Sequence, residues 1–285
     1  VRSQNIFPIQ ADLRRPDDCR KVVAGAQYVF FFAGILSTSV RLNKDPLEHV
    51  NDTLVLNIRL LEAAWLAGVE QCVLLSSTTG YPVLDRPLTE EDMFTGKPHP
   101  TYGFVGTSVR QIEALARAYF ESLPRAMSLA VLRPSTIYSE HGDFNPATCH
   151  VFPAMVRKVA DRRDPIDVIG DGQARRDLIH GGDVLRACLQ SLRLPKGYHT
   201  FNICSGQQHS INDMLRALLE VDGWPNARIV HHPVNYLASS TQSLDGRLAR
   251  EVLKFTPSMG LREGAKVMLD SYKQLRGCPG ESKSC

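Results

Sequence analysis

The sequence predicts an α/β fold built on a doubly wound parallel sheet, and two observations carry that expectation. Short runs that are apolar throughout recur at Tyr28 to Phe32, Cys72 to Leu75 and Met127 to Leu132. Strands read this way when helices cover both faces of a parallel sheet. Between the runs lie stretches with apolar residues at helical spacing, such as Leu54, Ile58, Leu61 and Trp65, so strand and helix alternate along the chain.

In order, Ile6 to Ile9 reads as the first strand, ending in Gln10-Ala11-Asp12-Leu13. A helix follows from Pro16 to Gly25, entered through proline with Asp17 and Asp18 in its first turn, where acids complement the helix dipole. Tyr28 to Phe32 ends at Ala33-Gly34. Asp45-Pro46 opens a helix to about Ala67 that Gly68 closes. Cys72 to Leu75 runs into the hydroxyl-rich turn Ser76-Ser77-Thr78-Thr79-Gly80-Tyr81. After a polar loop, a helix spans Tyr102 to about Leu123, then Met127 to Leu132 forms a strand.

Beyond Arg133 the pattern loosens, with Pro134, Pro146 and Pro153, a helix near Val151 to Asp161 and a short strand Ile166 to Ile169. His180 to Leu192 and Thr200 to Ile203 return to the sheet. Ile211 to Val221, Ala227 to His231, Leu244 to Leu253 and Leu261 to Leu275 complete a second region. The expected division is therefore discontinuous: residues 1–133 plus about 178–204 in one domain, 134–177 plus about 205–276 in a smaller α/β region, and 277–285 a frayed tail.

A formal charge of +3, 43% hydrophobic and 22% charged residues describe a globular chain with ample core, not a disordered one. The charge is too small and dispersed to point to nucleic acid, and no segment approaches the roughly 20 apolar residues of a membrane span. A small-molecule partner is the expectation. The seven cysteines, Cys19, Cys72, Cys149, Cys188, Cys204, Cys278 and Cys285, show no CxxC pair, which fits buried reduced thiols in a cytoplasmic or other reducing compartment. His141, His150, His209, His231 and His232 form no metal-ligand spacing.

The chemistry centres on Ser77, just past an apolar strand, and Tyr102, at the start of the helix that follows His99-Pro100-Thr101. A hydroxyl at a strand's end and a phenol at a helix start can address one carbon bearing a hydroxyl or ketone, which is oxidoreductase geometry. These residues, with Asp12-Leu13, Ala33-Gly34, Leu132-Arg133-Pro134 and the stretch Gly170 to Val184, resemble the extended short-chain dehydrogenases, the nucleotide-sugar epimerases and dehydratases. The resemblance covers nearly the whole chain. It implies a Rossmann-like cofactor domain whose first βαβ part lies outside this sequence, and NAD or NADP as cofactor.

Residue by residue, the resemblance places Asp12 and Leu13 near the adenine and Ala33, Gly34, Ser76 and Pro134 along the cofactor. It gives Ser77 and Tyr102 the proton chemistry and sets Thr136 and Arg176 against the substrate. Arg176 falls where the family's arginine meets the diphosphate, for which a planar guanidinium is suited; the competing reading is a surface arginine paired with Asp177 or Asp183. A homodimer through the two long helices is also implied. Leu54, Ile58, Leu61, Ile112, Leu115 and Tyr119 supply either that surface or the face against the sheet.

The departures are specific. Where the family carries lysine four residues after the tyrosine, this chain has Gly106. A phenol titrates near 10 in water, and a unit charge about 5 Å away at an effective dielectric of about 20 is worth roughly 3 kcal/mol. Without it the tyrosine is expected to be a poor base, and Gly106→Lys to speed the reaction. No GxxGxxG or GxGxxG turn occurs; either that first part belongs to the native protein upstream of Val1, or the chain cannot clamp a pyrophosphate. Thr78-Thr79 stand where dehydratases carry Asp-Glu, Thr136 where Asn is usual, and His231 to Ser243 lacks the family's second arginine.

The expectation is an impaired, NAD(P)-dependent nucleotide-sugar epimerase. The alternative is a non-catalytic relative acting as a binding or scaffold subunit of a larger assembly.

Overall fold

The computed structural model describes residues 5–34, 46–232 and 242–277. The chain divides into two compact units, one of residues 1–82, 91–133 and 190–201, the other of residues 83–90, 134–189 and 202–285.

The first unit begins with α1 (Pro16–Val23), where Asp17 and Asp18 occupy the first turn and Arg20 and Lys21 the last. That arrangement complements the dipole at both ends. Strand β1 (Tyr28–Phe31), helix α2 (Pro46–Leu66), strand β2 (Gln71–Leu75), helix α3 (Gly103–Glu121) and strand β3 (Ser128–Pro134) follow. Gly68 closes α2 at φ +81°, a left-handed position that costs glycine little. β1 pairs in parallel with β2 and β2 with β3, in a register that sets Tyr28 opposite Gln71 and Gln71 opposite Ser128. β7 (Tyr198–Ile203) adjoins β3. The sheet is the parallel, helix-covered one that the apolar runs predict, and β3 is buried along its whole length.

Helices and sheet enclose a core that includes Phe31, Leu61, Cys72, Ile112, Ala116 and Leu129. Of the six residues that could face either a dimer or the sheet, Leu61 and Ile112 are buried and Leu54, Leu115 and Tyr119 pack partly against this core, whereas Ile58 is 41% exposed. The expected strand at Ile6 to Ile9 is not formed. Residues 6–10 carry no regular structure and Phe7 is 80% exposed. Strand geometry needs a neighbour to take its N–H and C=O groups, and among the described residues β1 pairs only with β2.

The second unit holds β4 (Thr136–Tyr138), α4 (Val151–Ala160), β5 (Ile166–Ile169), β6 (Arg175–His180), α5 (Gly181–Ser191), β8 (Gln208–Ser210), α6 (Ile211–Val221), β9 (Ile229–His232) and α7 (Leu261–Gly277). β4 pairs in parallel with β6, β6 antiparallel with β8, and β5 in parallel with β9. Ser210 starts α6 through a reciprocal cap with Asp213, satisfying donors the helix leaves open. Phe152, Val156, Leu215, Leu218 and Met268 lie at the centre of this unit's core. Helix α7 approaches so closely that a Cβ on Gly264 would lie 2.0 Å from the Tyr138 hydroxyl.

Buried Asp177 accepts from the Ser135 and Ser205 hydroxyls and from the Ser205 and Gly206 N–H groups. Burial opposes the charge of Asp183, but the Ser258 hydroxyl, the Ser258 and Met259 N–H groups and Arg186 hold its carboxyl below the usual range. Both acids are structural anchors. Cys19, Cys72, Cys188 and Cys204 are buried free thiols, and burial pushes those of Cys72, Cys188 and Cys204 up to about 12. Among the described residues no helix is long and apolar enough to cross a membrane. The tail cysteines and most of the arginine-free stretch, residues 233–241, lie outside the described residues.

Candidate active site

Strand β2 delivers the chain into the hydroxyl-rich turn. Ser77, half-buried and extended at φ −140°, ψ 151°, accepts from the Thr79 N–H at 3.2 Å and lies 3.1 Å from the Thr79 hydroxyl. In this arrangement it caps the short turn Thr78–Gly80. The residue is only partly buried, so capping and contact with a ligand are compatible.

Tyr102 stands at the junction between a single turn, Pro100–Tyr102, and α3. His99 Nδ1 accepts from the Thr101 N–H at 3.2 Å, and its ring lies 5.9 Å from that of Tyr102. Among the described residues the Tyr102 hydroxyl has no hydrogen-bond partner.

Turn and helix meet at Gly106. A Cβ there would lie 2.4 Å from the Thr79 carbonyl oxygen and 2.6 Å from Cβ of Pro98. Backbone cannot retreat as a flexible side-chain tip can, so a side chain at residue 106 requires the turn or the helix to shift, which opposes the expected gain from Gly106→Lys. One turn further on, Arg110 donates from Nε to the Gly80 carbonyl at 2.7 Å, from Nη1 to Gly96 at 2.8 Å and from Nη2 to Thr95 at 2.9 Å. Residues 102, 106 and 110 share a helix face. The cation on that face therefore sits a turn beyond residue 106, turned towards backbone carbonyls, and burial holds it below the ordinary guanidinium value.

Beneath the turn lies a network that sequence reasoning missed. Glu113 and Arg133 are 0% and 1% exposed, and Arg133 donates to the carboxylate from Nε at 3.0 Å and Nη2 at 2.6 Å. Its Nη1 donates to the Tyr81 hydroxyl at 3.0 Å, and the Ser76 hydroxyl donates to Glu113. Burial works against the Arg133 charge, and the Glu113 carboxylate more than offsets it. Both ends of the turn, Ser76 and Tyr81, are thus fastened to one buried ion pair. Its only sequence signal was an acid on the apolar side of α3.

Asp12, Leu13, Ala33 and Gly34, distant in sequence, line one cavity of about 640 Å³ with Ala11, Arg14, Phe32, Asp52 and Leu56. Arg14 grips Asp12 with Nε and Nη2, both at 2.9 Å, and reaches Asp52 on α2 with Nη1 at 2.8 Å. This grip holds the Asp12 carboxyl at about 2, well below the usual range. One Asp12 oxygen takes a single hydrogen bond from Arg14 and keeps an open lone pair.

In the second unit, Pro134 ends β3 and Thr136 starts β4, opposite Leu178 of β6. Strand alternation puts Arg176 on the same face as Leu178, and Arg176 lies opposite His209 of β8. Thr136 and Arg176 therefore share a face of one small sheet. A cavity of about 220 Å³ in this unit is lined by Tyr138, Leu178, Ser205, Gln207 and His209, among others, and by neither Thr136 nor Arg176.

This arrangement can be set beside known proteins. The dTDP-4-dehydro-6-deoxy-D-allose reductase of Streptomyces bikiniensis is 30% identical over 204 residues, covering 70% of this chain and 61% of that protein. GDP-L-fucose synthase 1 of Arabidopsis thaliana is 24% identical over 276 residues, covering 92% and 82%. In fold, the chain is similar to a UDP-glucose 4-epimerase structure from Thermotoga maritima, with TM-score 0.84, 20% identity and coverage of 96% of this chain and 86% of that one. The profile of the NAD dependent epimerase/dehydratase family matches residues 2–204. With its Rossmann-like sheet, the chain belongs to the NAD dependent epimerase/dehydratase family.

Proposed function

We propose that this chain is a nucleotide-sugar epimerase-like protein, dependent on NAD or NADP and slow in turnover. One observation carries the reading: the turn bearing Ser77 packs directly on the helix headed by Tyr102, in the same unit as a cavity lined by Asp12, Leu13, Ala33 and Gly34. The cavity suits the adenosine end of a dinucleotide. It offers an ionised carboxylate with an open lone pair for a base amine, apolar walls from Leu13, Phe32 and Leu56, and room beside Gly34, where a Cβ would meet nothing within 4 Å among the described residues.

With its adenosine end in that cavity, a bound dinucleotide would supply a reversible hydride acceptor through its nicotinamide. The chain's own residues do the rest. The Ser77 hydroxyl holds the reacting sugar oxygen and the Tyr102 phenol moves its proton. Ser76 and Pro134 flank the cofactor, Ser76 through its backbone because its hydroxyl is engaged by Glu113. Thr136 and Arg176 hold the substrate, Arg176 at the diphosphate. Turnover is slow because no ammonium stands at residue 106. The names of relatives such as GDP-mannose 3,5-epimerase and GDP-L-fucose synthase support a nucleotide sugar as substrate. A homodimer is the assembly that goes with this reading.

A second reading, a non-catalytic binding or scaffold subunit, is favoured by the closure of position 106 against Thr79. The test offers the protein NAD or NADP with UDP-, GDP- and dTDP-sugars, follows epimers by chromatography and measures dinucleotide binding separately. Slow interconversion, reduced by a further ~10²-fold or more in Tyr102→Phe, is the expected result. Binding without turnover selects the second reading, and neither binding nor turnover overturns the cofactor-dependent proposal.

A further inference from the structure

We propose that His99 is a positioning partner of the Tyr102 phenol, its Nε2–H donating to the phenolate oxygen where residue 106 offers no side chain. The inference rests on the reading above in which Tyr102 moves the proton of the reacting sugar oxygen. A free phenol titrates near 10, so a tyrosine that gives and takes a proton at neutral pH needs a neighbour that favours its charged form. A donor aimed at the oxygen does so. At the head of α3 the Tyr102 hydroxyl and His99 Nε2 are both without a hydrogen-bond partner among the described residues, and the two ring centroids lie 5.9 Å apart, tilted by 47°.

The imidazole is fixed in place. Its Nδ1 accepts from the Thr101 N–H at 3.2 Å, so the neutral ring carries its proton on Nε2. The His99 N–H donates to the Tyr81 carbonyl at 3.0 Å, and the His99 carbonyl accepts from the Tyr102 N–H at 2.9 Å. Pro98 and Pro100 on either side restrict its backbone. The same segment closes position 106: Pro98 lies where a Cβ there would strike it, and Arg110 holds the carbonyls of Thr95 and Gly96 just before. The chain that shuts residue 106 therefore also brings a donor to the side of the phenol. His99 and Tyr102 are both only partly buried, and catalytic hydrogen bonds that are long in a free enzyme tighten, or run through one water, when substrate is present.

The test separates the two ring nitrogens. His99→Asn keeps an acceptor near the place of Nδ1 and loses the Nε2 donor, whereas His99→Gln places an amide N–H near Nε2 and gives up the cap on Thr101. Each protein is treated with tetranitromethane, which nitrates the phenolate form of tyrosine, and the rate at Tyr102 is followed by mass spectrometry of its peptide. His99→Asn is expected to slow nitration about tenfold or more, the order of a hydrogen bond to a charged group, and His99→Gln to stay within about threefold of the unaltered chain. Mere loss of cover over Tyr102 would speed the reaction instead. In the epimer assay, His99→Asn should lower kcat by a similar factor while leaving KM within about threefold. Equal nitration rates in the two variants, or His99→Gln as the slower, overturn the proposal. The expected nitration pattern without turnover in any form keeps the His99 contact and overturns the reading that Tyr102 serves an epimerase.

Discussion

Two positions on helix α3 treat the same neighbouring turn in opposite ways. At its start, Gly106 presents no side chain, and the Thr79 carbonyl lies where a Cβ would be. Two turns on, Glu113 sends a buried carboxylate back to Ser76 and binds Arg133, which in turn holds Tyr81. The turn is therefore held by backbone contact on one side and by a buried ion pair on the other. Residue 106 carries no side chain, yet the turn that bears Ser77 is fastened at Ser76 and Tyr81.

Substitutions on and around α3 sharpen or break that contrast, taken from the largest expected effect. Glu113→Ala strands a buried guanidinium, so a loss of about 3–5 kcal/mol is expected in chemical denaturation. Glu113→Leu combined with Arg133→Met should recover most of it, because an apolar pair of similar volume removes the unpaired charge. If the single substitution costs less than 1 kcal/mol, the pair does not hold the turn.

Gly106→Ala comes next. Helix propensity favours alanine by about 1 kcal/mol, but overpacking costs about 1–3 kcal/mol, so a net loss of up to ~2 kcal/mol is expected. Gly106→Lys shares that Cβ and should show no gain in turnover. Stabilisation by Gly106→Ala would mean that the turn can move away and that the position is open after all.

Smaller effects test the surroundings. Gly103, at φ −48°, ψ −44° on the same helix, has nothing within 4 Å of a Cβ, so Gly103→Ala should stabilise by about 0.5 kcal/mol. A loss there would show that glycine is needed along the whole start of α3 rather than at one contact.

Finally, Cys72 packs in the same core as Ile112 and Ala116 of α3, and burial raises its thiol to about 12. The folded state keeps a proton that the unfolded chain releases near 8.5. The stabilisation is full below that value and declines as pH rises from about 8.5 towards 12. Denaturation midpoints across this range check it, with Cys72→Ala expected to flatten the decline.

The legibility of the fold and of the site differed by element. Helices α1, α2, α3, α6 and α7 and strands β1, β2, β3 and β7 were marked by apolar periodicity and by Pro and Gly at their ends, local features that need no knowledge of partners. β4, β6 and β8 were not. Three residues are too few for a period, and Arg175-Arg176-Asp177 hides a strand whose acid is buried by Ser135, Ser205 and Gly206. Ile6 to Ile9 failed in the other direction, an apolar run without a strand to pair with. Asp12 and Gly34 could be picked out in the sequence as candidates and the structure brings them to one cavity, whereas Asp52 and Glu113 could not, since each meets a residue distant in sequence.

By itself the sequence determined the alternating α/β order, the family resemblance and the departure at Gly106, because periodicity, breakers and residue identity are properties of the chain alone. Tertiary structure alone decided that residue 106 has no room for a side chain, that Arg110 points its charge into carbonyls, that Glu113 and Arg133 pair out of water, and that Arg14 lies between two carboxylates. Each of these depends on which segments meet in space and on how much water is left between them. Charge, packing and hydrogen bonding take their strength from that meeting, and residue order does not encode it directly.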